Sequence, residues 1–275
     1  MKKLIIIITI FALFASNCGQ RNTKKNVEEQ TTEISDVDPK LIKATETVVE
    51  EEIIEIPDVY QQLIKAIETD DKSAFDKLIN HIPNIDTLIQ IKKNDNYFFT
   101  LWGYDFYTLV GFACRYKRCH FVEKLINLNA DIETGVSDEI MVTDALSVAI
   151  ASQDICSVKQ LLNNGANPNR RIDESGYTVL SLSCDVNNYD IAKLLIESGA
   201  DVNGLGDLGF DYVIYPLLHA VRSNNIKIVQ LFIDNNCKID VRDTQDETPF
   251  KVAERNENQE ILDLLKKTQE ERISK

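Results

Sequence analysis

The 275-residue chain carries 44 acidic against 30 basic residues, a formal net charge of −14 and a sequence pI near 4.7. That balance argues against nucleic acid and anionic lipid surfaces as partners, because both repel an acidic protein.

The chain opens with Met1-Lys2-Lys3, an apolar run of 12 residues from Leu4 to Ala15, and then Ser16-Asn17-Cys18-Gly19. Two lysines, a short apolar run and small residues before a cysteine describe a secretory signal. The run is too short to span a bilayer, which needs about 20 residues. Ala15-Ser16-Asn17-Cys18 resembles the bacterial lipobox, in which a signal peptidase cuts before a cysteine that becomes diacylated; Asn17 stands where Gly or Ala is usual. The resemblance implies a signal peptide over residues 1–17, lipidation at Cys18 and export from the cytoplasm, with a plain cleaved secretory protein as the alternative. Loss of Lys2 and Lys3 would leave a mature charge of −16.

Residues 18–57 read as a lipidated N-terminus and flexible acidic linker. Their Thr, Glu, Lys and Asn content cannot bury enough apolar surface to offset the entropy of ordering. The 39 residues from Gly19 to Pro57 reach on the order of 130 Å when fully extended and about 35 Å as a coil. Residues 41–56 have the composition of a transient acidic helix, with Glu50-Glu51-Glu52 as a solvated stretch.

From residue 58 onward one pattern recurs. Its closing tag appears as Asn84-Ile85-Asp86, Asn129-Ala130-Asp131-Ile132-Glu133, Gly165-Ala166-Asn167-Pro168-Asn169, Gly199-Ala200-Asp201-Val202-Asn203 and Asn236-Cys237-Lys238-Ile239-Asp240. The last residues of successive tags are 47, 36, 34 and 37 apart. Self-similarity at this period predicts a stacked array of short antiparallel helix pairs. Thr178, Thr248 and Asp144 stand where a first helix begins and can cap its free N–H groups, with Pro249 suited to the first helical position. Ala66, Ala113, Ala149, Ala220 and Ala253 share one repeat position with Ser183, where a small side chain lets neighbouring helices approach. The second helices carry a half-buried stripe, as in Ile191-Ala192 with Leu195-Ile196. Gly165 and Gly199, with Asn129 and Asn236 in the same slot, mark left-handed helix ends.

The aromatic content is concentrated. Tyr97-Phe98-Phe99-Thr100-Leu101-Trp102-Gly103-Tyr104-Asp105-Phe106-Tyr107 holds seven of the chain's 21 aromatic residues, including its only tryptophan. The segment fills the extra length of the 47-residue spacing and suits a β-hairpin around Gly103. A second aromatic stretch runs from Leu208 to Tyr215. Two readings stay open: the rings form a binding edge, or some of them cover the exposed core of the first repeat.

Chemistry is sparse. His81, His120 and His219 fall in different repeats at different registers, so no shared metal or triad site is expected. Gly204-Leu205-Gly206-Asp207-Leu208-Gly209 lacks the strand and helix of a dinucleotide fingerprint and reads as a loop insertion. After Cys18 five cysteines remain, at 114, 119, 156, 184 and 237. No tight disulfide framework is visible; Cys114 and Cys184 read as buried alanine surrogates, and the odd count leaves at least one free thiol.

The repeated unit resembles the ankyrin repeat, whose pattern runs roughly D-x-x-G-x-T-P-L-H-x-A-A, a second helix, then G-A-D-V-N. The likeness covers about residues 58–270, most faithfully over Asp173–Asn203 and Asp243–Leu265. It implies an all-α solenoid of about six repeats with projecting hairpin fingers, at approximately 58–86, 87–133, 134–169, 170–203, 204–240 and 241–275. The histidine of the family tetrapeptide is replaced by Gly111, Ser147, Ser181, Leu218 and Lys251, so weakened hydrogen bonding between repeats and modest stability are expected. The resemblance also implies a monomeric, non-enzymatic protein-binding module without metal or cofactor, touching a membrane only through its lipid. Its binding residues are expected to be Tyr97, Phe98, Phe99, Trp102, Tyr104, Phe106, Phe210 and Tyr212. With the lipobox, this suggests a cell-envelope protein, either an immunity or inhibitor protein or an escort for an envelope enzyme. The alternative is a structural or adhesive surface lipoprotein holding glycan or matrix through its aromatic fingers.

Overall fold

The computed structural model describes residues 58–92, 104–137, 142–173, 176–204 and 215–274. They form six antiparallel helix pairs stacked in chain order. The pairs are α1 (Asp58–Glu68) with α2 (Lys72–Leu78), α3 (Leu109–Arg115) with α4 (Cys119–Asn127), and α5 (Ala145–Ala151) with α6 (Ile155–Asn163). They continue with α7 (Val179–Asp185) and α8 (Tyr189–Glu197), α9 (Pro216–Arg222) and α10 (Ile226–Asp234), and α11 (Pro249–Arg255) and α12 (Gln259–Ile273). First helices pack on first helices and second on second, as α3 does on α5 and α6 on α8. The fold is the all-α solenoid that the ankyrin resemblance implies, with short hairpins before the second and third pairs.

Capping sets where the helices begin. Thr108, Asp144, Thr178 and Thr248 each accept the N–H three residues on, at Gly111, Ser147, Ser181 and Lys251. Two of the residues that replace the family histidine add to these caps. Ser147 closes a reciprocal capping box with Asp144, and the Ser181 hydroxyl lies 3.3 Å from that of Thr178. Between the helices of each pair stands one residue with positive φ: Asp70, Lys117, Gln153, Asn187, Asn224 and Glu257. The tight turn demands that geometry although no glycine supplies it, a strain of roughly 1–3 kcal/mol per site. The closing tags turn the same way at Asn129, Gly165, Gly199 and Asn236, with φ of 61°, 93°, 95° and 59°.

The core runs unbroken along the array. Ala113, Ala149, Ala220 and Ser183 are fully buried at the shared small-residue position, with Ala66 and Ala253 nearly so. On the second helices Phe121, Val122, Leu125, Val158, Leu161, Ile191, Ala192, Leu195, Ile228, Val229 and Phe232 are inaccessible or nearly so. The Phe75 and Phe121 rings stack with centroids 4.4 Å apart, joining the first pair to the second.

Hydrogen bonding between repeats is where the sequence expectation fails. At the closing tags, a side chain of one repeat accepts the backbone N–H of the next. Asp131 N donates to Asp86 Oδ1 at 2.7 Å, Asn167 N to Glu133 Oε1 at 3.0 Å, Asp201 N to Asn169 Oδ1 at 2.7 Å, and Lys238 N to Asn203 Oδ1 at 2.7 Å. Loss of the family histidine therefore leaves the repeats linked, because the terminal Asp, Glu or Asn of each tag takes over. At about 0.5–1.5 kcal/mol net apiece, such bonds are modest singly and recur at four junctions.

Two hairpins are defined. β1 (Ile89–Lys92) pairs antiparallel with β2 (Tyr104–Tyr107), setting Ile89 opposite Tyr107 and Lys92 opposite Tyr104. β3 (Val136–Ser137) pairs with β4 (Val142–Thr143). Each leads into a first helix, at the end of the stack where the closing tags lie.

A disulfide joins Cys119 to Cys156, with Cα atoms 5.7 Å apart. It is a single bond where the sequence shows no tight framework, the odd cysteine count leaves free thiols as expected, and it ties the first turns of α4 and α6. Cys114, Cys184 and Cys237 are buried free thiols, so the alanine-surrogate reading of the first two holds.

Candidate binding face

The hairpins and the first helices that follow them build one continuous face, and its polar side chains obey a rule that the sequence conceals. The residue just before the helix N-cap meets the last residue of the same helix, eight positions on. In the second repeat Arg115 donates to Tyr107 Oη at 2.8 Å, with its guanidinium carbon 5.2 Å from the ring centroid; both side chains are buried. In the fourth, Tyr177 donates to Asp185 Oδ2 at 2.6 Å. In the sixth, Arg255 pairs with Glu247.

These pairs join across repeats. His219 of α9 places Nδ1 2.8 Å from Asp185 Oδ1, and its ring packs 5.2 Å from that of Tyr177. One turn further along α9, Arg222 Nη2 donates to Asp243 Oδ2 at 2.7 Å and to Glu247 Oε2 at 2.8 Å. A relay of Tyr177, Asp185 and His219 thus joins the fourth repeat to the fifth, and a cluster of Arg222, Asp243, Glu247 and Arg255 joins the fifth to the sixth. A separate pair, Arg170 with buried Asp144 at 2.8 Å, ties the base of the fourth repeat to the cap of α5.

Burial and partners set the charge states here. Burial raises the Asp144 carboxyl above the usual carboxylate range, against the pull of the Ser147 N–H and Arg170. For Asp185 burial pushes the same way, yet the hydrogen bond and charge of His219 together with Tyr177 and Arg222 prevail and hold its carboxyl low. Burial, followed by the Asp185 contact, drives the Tyr177 phenol far up, so it stays a neutral donor.

A pH prediction follows from Asp185. Its folded pKa lies below the unfolded value of about 3.9, so its stabilisation is complete above that value and disappears as pH falls through the folded one. Asp185→Asn is therefore expected to lower the urea midpoint at pH 7 and to converge on the wild type near pH 2. Equal midpoints at pH 7 would show that the pair contributes nothing.

The expected binding residues divide as follows. Tyr97, Phe98, Phe99, Trp102, Phe210 and Tyr212 lie outside the described residues, as does Cys18. Tyr104 and Phe106 lie on β2, in the hairpin expected there. Tyr107, from the same aromatic run, is in the core with Arg115, so this ring supports the covering reading for itself. The three histidines stay apart: His81 is exposed, His120 Nε2 lies 2.9 Å from Asp70 without the alignment of a hydrogen bond, and His219 belongs to the relay. Among the described residues no group of three or more His, Cys, Asp or Glu is placed to hold a metal ion, and no helix is long and apolar enough to cross a membrane. The relay itself was missed in the sequence. The recurring eight-residue offset of Tyr107/Arg115, Tyr177/Asp185 and Glu247/Arg255 was the available signal.

With this geometry in place, the comparisons agree. Residues 108–204 match the family model for three ankyrin repeat copies, and residues 214–241 match that for a further single repeat. Over these residues the chain carries ankyrin repeats, a repeat type that serves as a protein-binding module. It is 29% identical over 154 residues to an ankyrin repeat protein, L371, of Acanthamoeba polyphaga mimivirus, covering 56% of this chain and 19% of that protein. It is 26% identical over 142 residues to an ankyrin repeat protein of Borreliella burgdorferi, covering 52% and 61%. Over 72 residues it is 40% identical to protein phosphatase 1 regulatory subunit 27 of Homo sapiens, covering 25% and 46%. The chain spans less than two thirds of each of these relatives.

Proposed function

We propose that this protein is a lipid-tethered ankyrin-repeat module of the bacterial cell envelope that docks another protein on its hairpin and first-helix face. The carrying observation is that face: hairpins lead into a row of first helices on which polar side chains are already paired with one another, a preorganised surface of the kind that favours protein docking. The protein acts as a monomer, and its partner is an envelope protein that it inhibits, as an immunity protein would, or escorts. The name of the human relative, a regulatory subunit of an enzyme, supports regulation over adhesion. Export is supported by the signal-like N-terminus and by the Cys119–Cys156 disulfide, since such bonds persist in oxidising compartments.

Cys18 supplies the anchor. Each buried methylene of an acyl chain contributes about 0.8 kcal/mol of membrane affinity, so one or two chains hold the protein at the bilayer. Cys18→Ser is expected to abolish labelling by a fatty-acid probe and to leave the protein soluble or unprocessed. A wild type that fails to label would remove the anchor from the proposal. For the partner, crosslinking in the native envelope followed by mass spectrometry should recover a discrete protein joined to the hairpin face. Recovery of glycan alone would replace docking with the adhesive alternative.

A further inference from the structure

Every junction between repeats is tied a second time, at the end of the stack away from the hairpins, where the two helices of a pair are joined. The residue capping each second helix reaches back to the preceding loop. Arg118 donates to Ile67 O at 3.1 Å and to Glu68 O at 2.9 Å. Asn188 Nδ2 meets Gln153 Oε1 at 3.4 Å, Asn225 Nδ2 meets Asn187 Oδ1 at 2.7 Å, and Asn258 Nδ2 meets Asn224 Oδ1 at 2.7 Å. The junction between the second and third repeats departs from this scheme. Its cap is Asp154, which accepts from the N–H and hydroxyl of Ser157 of its own helix. Here the cap makes no bond to the preceding loop; the Ser157 side chain meets Cys114 of the second repeat instead, and the Cys119–Cys156 disulfide crosses the junction where the other caps form their rungs.

The surroundings suit a bond that opens and closes. Cys156 is exposed and Cys119 half-buried, so the bond can be reached from solvent. The remaining thiols at Cys114, Cys184 and Cys237 are buried. Burial raises all three, Cys237 to about 11 and the other two higher still, so they stay protonated and attack disulfides poorly. Opening therefore does not lead to shuffled pairings. The bond sits at the start of α4, and at 1.5 Å per residue the nine residues of that helix separate it by about 13 Å from the tag and hairpin end.

We propose that Cys119–Cys156 is a reversible redox clasp on the junction between the second and third repeats. When it opens, the first two repeats and the β1–β2 hairpin loosen as a unit from the other four. The reductant is a dithiol, either a small molecule or an oxidoreductase. One of its thiolates attacks a sulfur of the clasp, forming a mixed disulfide and releasing the other cysteine. Its second thiol then attacks the reductant's own sulfur in the mixed disulfide and displaces the cysteine still held, so the reductant leaves as a disulfide while Cys119 and Cys156 gain the two electrons and two protons. The inference goes beyond docking and does not depend on the identity of the partner.

Amide hydrogen exchange on the full chain, before and after dithiothreitol under native conditions, tests it. Two additional thiols should become titratable, and amides of α1–α4 and β1–β2 should exchange at least tenfold faster while those of α7–α12 are unchanged. Oxidised glutathione should restore protection. Cys119→Ala with Cys156→Ala should reproduce the opened pattern without reductant, and if that variant does not fold, the reduction of the wild type still decides. A bond that resists reduction until the protein is denatured would overturn the clasp. So would unchanged exchange, or loss of protection spread evenly over all six pairs.

Discussion

Replacing Leu195 with Ala is expected to lower unfolding stability by about 2–5 kcal/mol, the range for a cavity left by a buried leucine. Leu195 lies fully buried on α8, the second helix of the fourth pair, which packs against both α6 and α10. In a linear array stability resides in each repeat and its two interfaces, so a cavity here weakens the third and fifth pairs as well. The signature is a lower urea midpoint together with faster amide exchange on either side of the site. An unchanged melting curve would refute the helix register described for this repeat.

The second large effect is expected in binding. Trp102→Ala combined with Tyr104→Ala should weaken the partner complex by about 2 kcal/mol or more, the range of interface hot spots, while the helical signal stays nearly intact. Tyr104 opens β2, directly opposite Lys92 of β1. Tyr107, three residues on, is already committed to the core through Arg115. If the other rings also cover the first repeat, the same double change should lower the melting temperature and lose binding only through unfolding. Circular dichroism and pull-down on one sample separate the two cases, and a retained fold with retained binding would remove this hairpin from the interface.

Much of the scaffold was legible because its determinants are local. Thr178 capping α7 and Gly199 turning out of α8 each act within a few residues, and Leu195 is placed by helical period alone. The relay was not legible, since His219 and Asp185 stand 34 residues apart and meet only after stacking. The disulfide was hidden for a subtler reason. Aligned by the second-helix stripe, Cys119 shares its position with Ile155, and Cys156 with His120. Comparison position by position passes over the pair, yet consecutive residues at the starts of adjacent helices come close enough to bond. The hydrogen bonds between tags were not legible either, because Asp86, Glu133, Asn169 and Asn203 meet their donors in the next repeat only after stacking.

Those tag bonds bear on how such a chain can change over generations. The accepting side is a chosen side chain, but the donating side is a backbone N–H, which every residue except proline supplies. Asp131, Asn167, Asp201 and Lys238 therefore serve equally well, although one is basic, one neutral and two acidic. A repeat specifies what it offers to its successor and asks almost nothing of that successor's sequence. Duplication, deletion or exchange of whole units can then proceed without matched mutations at this joint, leaving the exposed residues of each unit free to follow a changing partner.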